Sequence, residues 1–317
     1  MRPRCWVRGV SLPLALGLTT VGAALAAGVY VVAVLDRAME ALVAGRSIPV
    51  RDLLLAPVRR AAALLVTSPS ATERPDAPGW VIAPALLAGL AAVALATVPL
   101  APGLMVADPA TGFVLFSAAI AFVMIAVFLH GWSPNAVWPL HGAYRYGAQA
   151  LSFQIPFLLA MLATALPAES LQISEIVHAQ QDLWNVVRQP LGLPLYLIVG
   201  AAVSFWGPLN LPDGADLAGG TTAEAAGVSG LVWQLARAAM LVAVAAMGAA
   251  GFLGGWWGPW RPGVGWMLAK TLLLLVVLVA SRHLFARVRI ERFVVVCWAG
   301  LIPLALLNIF VSGAWLL

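Results

Sequence analysis

The feature that most restricts this chain is the recurrence of long apolar runs. A helix needs about 20 predominantly apolar residues to cross roughly 30 Å of hydrocarbon. Runs of that kind, bounded by charges, Gly or Pro, occur eight times, at approximately 11–35, 80–103, 112–131, 148–166, 191–206, 231–252, 264–281 and 293–316. Backbone groups in lipid must be bonded within the segment, and these runs are too long for barrel strands, so each reads as a helix. The expected fold class is an all-α integral membrane protein, with eight transmembrane helices plus interfacial amphipathic helices in a single polytopic domain over 1–317. Composition agrees: only 10% of residues are charged, against about 25% in an ordinary soluble domain.

The first run carries two readings. "MRPRCWVRGVSLPLALGLTTVGAALAAG" has the basic start, apolar stretch and small residues of a cleaved signal peptide. Against cleavage, the apolar run continues through "VYVVAVL" to Leu35, long enough to span.

Eight spans place both termini on one side, and the side richer in Lys and Arg is cytoplasmic. Loops 36–79, 132–147, 207–230 and 282–292 hold six, one, no and four arginines, whereas the other side holds Arg2, Arg4, Arg8, Arg188 and Arg261. The expectation is therefore termini outside. Residues 50–67, with Arg51, Asp52, Arg59 and Arg60 spaced along an apolar segment, suit a helix lying in the interface or over the other helices. A second amphipathic stretch, 171–187, falls on the opposite side. No discontinuous short spans recur at matching positions in the two halves, so a transporter-type repeat is absent.

The pattern also excludes chemistry. Cys5 and Cys297 form no C-x-x-C, so this chain alone assembles neither an iron–sulfur cluster nor a thiolate zinc site. His130, His141, His178 and His283 show no H-x-x-x-H spacing. The expectation is no metal or flavin in this chain, with any redox cofactor held by a partner. The net charge of +5 comes with one lysine, Lys270, and no basic stripe with interleaved aromatics, which argues against nucleic acid. None of the thirteen acidic residues lies inside a span. Arg237, Lys270 and the neutral Gln149, Gln154, Gln234 and Asn308 do. The neutral ones suit hydrogen bonds between packed helices. Arg237 and Lys270 must each snorkel, face a wet cavity or meet a carboxylate on another subunit.

Several loop motifs occur together. "GWSPNAVWPLHGAYRYGAQALSFQIP" (131–156), "LPDGADLAGG" (211–220), "GFLGGWWGP" (251–259), "AKTLLLLVVLVASRHLFARVRIERF" (269–293) and "LIPLALLNIFV" (301–311) resemble, in this order, the H subunit of bacterial NADH-quinone oxidoreductase, the respiratory complex I subunit 1 family. The resemblance covers roughly 30–315. It implies an eight-helix subunit of the bacterial cell membrane that forms the quinone chamber and anchors the peripheral arm. The implied partners are other membrane and iron–sulfur subunits of a complex-I-like assembly, quinone and the lipid bilayer. Quinone would be a substrate bound at the interface with partners. The segment 50–67 falls where the family places an interfacial helix beside the quinone entrance.

The resemblance further implies Asp36, Arg37, Arg59, Arg60, Arg145, Asp213 and Asp216 as quinone-chamber or partner contacts. Each reads equally as a solvated loop residue, except Arg145, which its motif favours. It implies Gln154, Glu224, Arg237 and Lys270 as positions relevant to proton coupling, and here the chain departs from the family. Gln154 stands where the family carries the glutamate of S-Y-E, Asn210 replaces an aspartate in the shortened acidic loop, and Arg237 appears in the helix where a glutamate is expected. A carboxylate loads or unloads a proton when burial and neighbours tune its pKa; glutamine and asparagine do not. The expectation is a divergent complex-I-like NADH/ferredoxin-quinone oxidoreductase subunit, not catalytic alone, with altered proton coupling. Two alternatives are the anchor subunit of a membrane-bound hydrogenase or formate hydrogenlyase and, from a different class, a secondary transporter contacting its substrate through Arg237 and Lys270.

Overall fold

The computed structural model describes residues 13–68 and 72–314. Residues 1–12, with Cys5 and the three N-terminal arginines, lie outside them. The described chain is a bundle of α-helices: α1 (Leu14–Val43), α2 (Val50–Val66), α3 (Ala77–Ala96), α4 (Gly112–Trp132), α5 (Val137–Ala165), α6 (Ile173–His178), α7 (Asn185–Arg188), α8 (Gly192–Val203), α9 (Gly227–Phe252), α10 (Val264–Leu284), α11 (Ile290–Val296) and α12 (Ile302–Ala314). A π-helical turn, Cys297–Leu301, joins α11 and α12 into one helical rod. Among the described residues, seven helices are long and apolar enough to cross a membrane.

The expected eighth span is shorter than its apolar run. Residues 191–206 yield only α8, whose twelve residues reach roughly 18 Å at 1.5 Å each. The helix stops at Ser204, whose hydroxyl donates back to Gly200 O at 2.7 Å. Phe205 then adopts φ +38°, and Trp206 N–H returns to Ala201 O at 2.8 Å. This left-handed turn closes the helix as a glycine normally would.

α3 ends at Ala96, short of the expected 103, and two other differences follow from buried polar residues. α5 begins eleven residues before the expected start at 148, because "VWPLHGAYRYG" is too polar for an apolar run yet buries Pro139, Gly142, Ala143 and Tyr146 along one side. The amphipathic stretch 171–187 is not one helix but the short α6 and α7. Between them Gln180 turns inward. Its Nε2 donates to Ile176 O and Ala250 O, and its Oε1 accepts from Asn185 N–H and Gly254 N–H.

The core centres on α9, which packs against α1, α2, α3, α8 and α10. Its sequence explains the position: "AMLVAVAAMGAAGF" is mostly small residues, and small residues let helix backbones approach closely in a membrane. Large apolar side chains such as Leu16, Phe122, Leu151, Leu272 and Phe310 remain exposed on the outer helices. Such a surface suits lipid and not water.

Candidate functional site

At one end of the bundle α1 continues past Leu35 for more than two turns, carrying Asp36, Arg37 and Glu40 beyond the expected end of the first span. α2 folds back beside it, with no fully buried residue and with Leu54, Val58 and Leu65 exposed. Tyr30 Oη donates to Leu54 O at 2.6 Å and ties α2 to α1. Between them lies an open cavity of about 350 Å³ lined by Arg37, Glu40, Ile48, Asp52, Arg59 and Arg60. That volume falls in the range of small-molecule pockets. Arg37 Nη1 pairs with Glu40 Oε2 at 2.7 Å and Arg59 Nη1 with Asp52 Oδ1 at 3.0 Å, so the rim carries both signs of charge. The structure thus gathers three sequence candidates, Arg37, Arg59 and Arg60, at one cleft.

Asp36, one residue away, points elsewhere. Its carboxylate meets Arg282 Nη1 at 2.9 Å and His283 Nε2 at 2.9 Å, both at the end of α10. This joins two helices through residues separated by 246 positions.

Beside that junction the polar segment 204–226 folds into three tight turns, Gly207–Leu209, Ala215–Leu217 and Gly220–Thr222. Its backbone is held from α5. Gln149 Nε2 donates to Ala202 O and Leu209 O, and Tyr146 Oη donates to Val203 O. Gly142 and Gly220 both face Pro212 O. A Cβ at either would overlap that oxygen, so side chains there are incompatible with this packing. The motifs around 142 and 211–220 are therefore parts of one packed unit.

Asp213 is at its centre, with its side chain only 5% exposed. Arg237 Nη1 donates to Asp213 Oδ2 at 3.1 Å, and Thr221 Oγ1 donates to Oδ1 at 2.5 Å. Burial pushes the Asp213 carboxyl up; Arg237, the Thr221 hydroxyl and Arg287 oppose it. Arg237 also donates through Nε to Ser204 O at 3.3 Å and through Nη2 to Phe205 O. Its guanidinium lies 4.7 Å from the Phe205 ring centre and 5.1 Å from that of Trp206. The sequence pattern sends Arg237 to solvent, a cavity or a carboxylate on another subunit. Its carboxylate is in the same chain, 24 residues before it.

Asn210 completes the group. With its amide nitrogen turned to the acceptors, as the network requires, it donates to Phe205 O and Asp213 Oδ2 at 3.2 Å each and accepts from Arg237 Nη2 at 3.3 Å. An aspartate at 210 would set a second carboxylate against Asp213.

Asp216 lies at the exposed edge. Arg145 Nη1 donates to it at 2.5 Å, with Arg287 Nη1 at 3.9 Å, and the Arg145 hydrogen bond holds its carboxyl below the ordinary range. Val288 N–H donates to Pro208 O at 3.0 Å, laying segment 285–289 along the loop. Arg282, on α10, stands 5.5 Å from the Trp206 ring centre. A line of planar groups results. His130 stacks on Trp233 at 3.7 Å, Trp233 on Phe205 at 5.8 Å, Arg237 lies against Phe205 and Trp206, and Arg282 lies against Trp206 from α10.

The remaining candidates are not part of this group. Gln154 is half-buried farther along α5, away from the loop. Glu224 is half-buried in the turn before α9. Lys270 sits at the far end of α9, where its ammonium donates to Gly255 O at 3.1 Å and to Leu253 O and Trp257 O, and faces the Trp184 ring at 4.0 Å. A buried cation at a helix C-terminus satisfies carbonyls that have no partner within the helix. Sequence reasoning missed Asn210, Thr221, Arg282, His283 and Arg287 as members of the site. The basic "SRHLFARVRIERF" motif was the signal that contained the last three. Gln149, read as an interhelical hydrogen-bonding residue, does bridge α5 to the α8 end and the loop.

Chemically, the site places exchangeable carboxyls and fixed guanidinium charges next to a mostly charged cleft that also includes Ile48 and Ala56. No group of three His, Cys, Asp or Glu side chains able to hold a metal occurs among the described residues. Similarity to known proteins bears on what such a site serves. Residues 16–313 match the family model described as NADH dehydrogenase. The H subunit of NADH-quinone oxidoreductase from Geobacillus sp. (strain WCH70) is 31% identical over 255 residues, which cover 79% of this chain and 77% of that protein. An H subunit of the NADH-quinone oxidoreductase from Rhodopseudomonas palustris (strain HaA2) is 32% identical over 235 residues, covering 74% of each.

Proposed function

Since this chain belongs to the NADH dehydrogenase family, that of complex I subunit 1, we propose that it is the membrane subunit of a complex-I-like quinone oxidoreductase, forming the quinone chamber and anchoring the peripheral arm. The carrying observation is the cleft between α1 and α2 next to the Asp36–Arg282 and Asp213–Arg237 groups. A quinone would enter past α2, and electrons would come from a partner's iron–sulfur cluster. Among the lining residues, Ile48 and Ala56 suit the apolar parts of a quinone, and the arginines suit its ring carbonyls. Asp36, Arg37, Arg59, Arg60, Arg145, Asp213 and Asp216 are the proposed chamber or partner contacts, on the side we assign to the cytoplasm by its arginines. On that assignment, and with the shorter α8 counted as an eighth crossing, the termini lie outside.

Proton coupling is altered in this reading. Gln154 and Asn210 change no charge with pH, and Arg237 supplies a permanent positive charge that the Asp213 carboxylate neutralises. The names of the relatives support a quinone-linked complex over a hydrogenase anchor. Engagement of Arg237 and Lys270 by their own chain weakens the transporter reading.

The test is purification from bacterial membranes in mild detergent. Co-purification with iron–sulfur subunits and quinone-dependent NADH or ferredoxin oxidation is expected. Recovery of the chain alone, from membranes without quinone-linked activity, overturns the reading. Gln154→Glu is expected to leave assembly unchanged. Full proton stoichiometry in the unaltered complex overturns the inference about coupling.

A further inference from the structure

The proposed chamber depends on where segment 204–221 sits, and that segment has little regular structure to hold it. Its three turns are each a single 3₁₀ turn, and short 3₁₀ pieces are weak in isolation. One side chain from the transmembrane core reaches across it. Arg237, on the most buried helix, contacts the backbone where α8 ends (Ser204 O, Phe205 O), the middle of the loop (Asn210 Oδ1) and its buried acid (Asp213 Oδ2). Its ring contacts add Phe205 and Trp206, whereas Gln149 and Arg145 of α5 each hold the segment at one residue, Leu209 O and Asp216. A guanidinium is planar, always charged and donates in several directions in its plane, and lysine's point charge does not reproduce that fork.

We propose that Arg237 is a positioning residue that pins segment 204–221 to α9 through a permanent charge, so that the loop's placement beside the cleft is set without a protonation step. This rests on the quinone-chamber reading for its functional consequence but not for its geometry. The geometry itself argues for the role. Ser204 O and Phe205 O are helix-end carbonyls that need donors, and Phe205 sits at φ +38°, a conformation that a non-glycine residue keeps only when surroundings enforce it. Arg237 supplies both the donors and the enclosing plane. Asn210 in place of a second carboxylate leaves one negative charge opposite one positive charge, so the buried group is balanced.

The charged groups facing Asp213 are Arg237 from α9 and Arg287 from segment 285–289, while Thr221 and Asn210 hydrogen-bond it from its own loop. Arg145 of α5 is occupied by Asp216. Arg237 in turn feels Arg282 and Asp36 across Trp206. With Arg237 removed, Arg287 alone faces the buried carboxyl. Asp213 then favours its protonated form, and raising the pH through its elevated pKa leaves a poorly compensated buried charge. The sign is therefore loss of loop order and of activity as pH rises, a dependence stronger than in the unaltered protein, where Arg237 opposes the rise.

The experiment compares the purified complex with Arg237→Gln, Arg237→Lys, Asp213→Asn and Arg237→Gln/Asp213→Asn variants. Hydrogen exchange of backbone amides in 204–221 and the pH profile of quinone reduction are both read. Arg237→Gln is expected to speed exchange there about tenfold or more, since local opening no longer breaks a charged pair, while amides of α9 beyond Leu241 stay protected. Arg237→Lys is expected to restore the pH profile but not full protection. The double variant is expected to lose the pH limb and keep the fast exchange. If Arg237→Gln does not assemble, Asp213→Asn carries the test, with faster exchange at 204–221 expected. Exchange in 204–221 as slow in these variants as in the parent overturns the proposal, and so does a pH limb that persists in the double variant. A parent complex without quinone activity would remove the chamber reading while leaving the exchange comparison valid.

Discussion

Two points along α9 treat a buried cation in different ways. At its far end Lys270 faces three carbonyls in one turn, Leu253 O, Gly255 O and Trp257 O, and the Trp184 ring from the residue before α7. Within its first half Arg237 faces two carbonyls, an amide and a carboxylate spread over a loop. The first arrangement is compact: the acceptors come from the end of α9 and the turn after it, and nothing there titrates against the lysine. The second is reciprocal, because the loop supplies Asp213 and each charge needs the other. The lesson is that a charge at membrane depth marks a structural cap when its partners are helix-end backbone, and a site coupled to a loop when its partner is a side chain on that loop.

That contrast is breakable. Lys270→Met should have the largest effect. It leaves three carbonyls without their donor at about 1–3 kcal/mol for each that stays dry, and should lower the melting temperature and yield of the assembled complex while exchange in 204–221 stays as in the parent. A variant that assembles and melts like the parent would show that the capping role is dispensable. Asp213→Ala comes next. Removing one partner of a buried pair costs about 3–5 kcal/mol when the other charge stays buried. Here the loop opens and hydrates Arg237, so the loss should appear as local exchange with a smaller change in global melting. A purely global effect, with 204–221 unchanged, would erase the distinction between the two sites.

Tyr146→Phe should have a smaller effect. It removes one hydrogen bond to Val203 O, worth about 0.5–1.5 kcal/mol, and should shift thermal stability slightly with no change in pH profile. Arg59→Gln should be smallest for stability, below about 1 kcal/mol, because its pair with Asp52 is exposed. Its use is functional: a raised KM for quinone with unchanged melting is expected if the cleft is the entry. Acid titration offers a further discriminator. Arg145 holds the Asp216 carboxyl below its ordinary range, so the small contribution of this largely exposed pair is present above the ordinary carboxylate pKa. It is lost as pH falls through the lowered folded value. Loop exchange at the Asp216 edge should rise in acid before exchange around Thr221 does.

Much of the architecture was legible because lipid makes backbone satisfaction a local matter. Runs such as 112–131 and 264–281 had to be helices, and they are α4 and α10. The segment 50–67 announced a surface helix through its spaced arginines, and α2 lies there. Run length failed where polar residues are buried by a neighbour. α5 starts early because Gly142 and Tyr146 are covered by the loop, and the stretch 171–187 breaks because Gln180 turns inward to α9. Of the site candidates, Arg37, Arg59 and Arg60 converge on one cleft, whereas Asp36 turns to Arg282 and His283, and Lys270 to a helix end. No local pattern carries those pairings.

The sequence by itself determined a helical membrane bundle, a polar irregular loop after 206 and a chain short of buried carboxylates. These follow from hydropathy, length and residue type, each acting over a turn or a span. Only the tertiary structure decided that Arg237 belongs to Asp213, that Asn210 sits between them and that Asp36 joins α1 to α10. A charge excluded from water takes whichever partner the packed fold brings within about 3 Å, and that proximity is a property of the assembled helices.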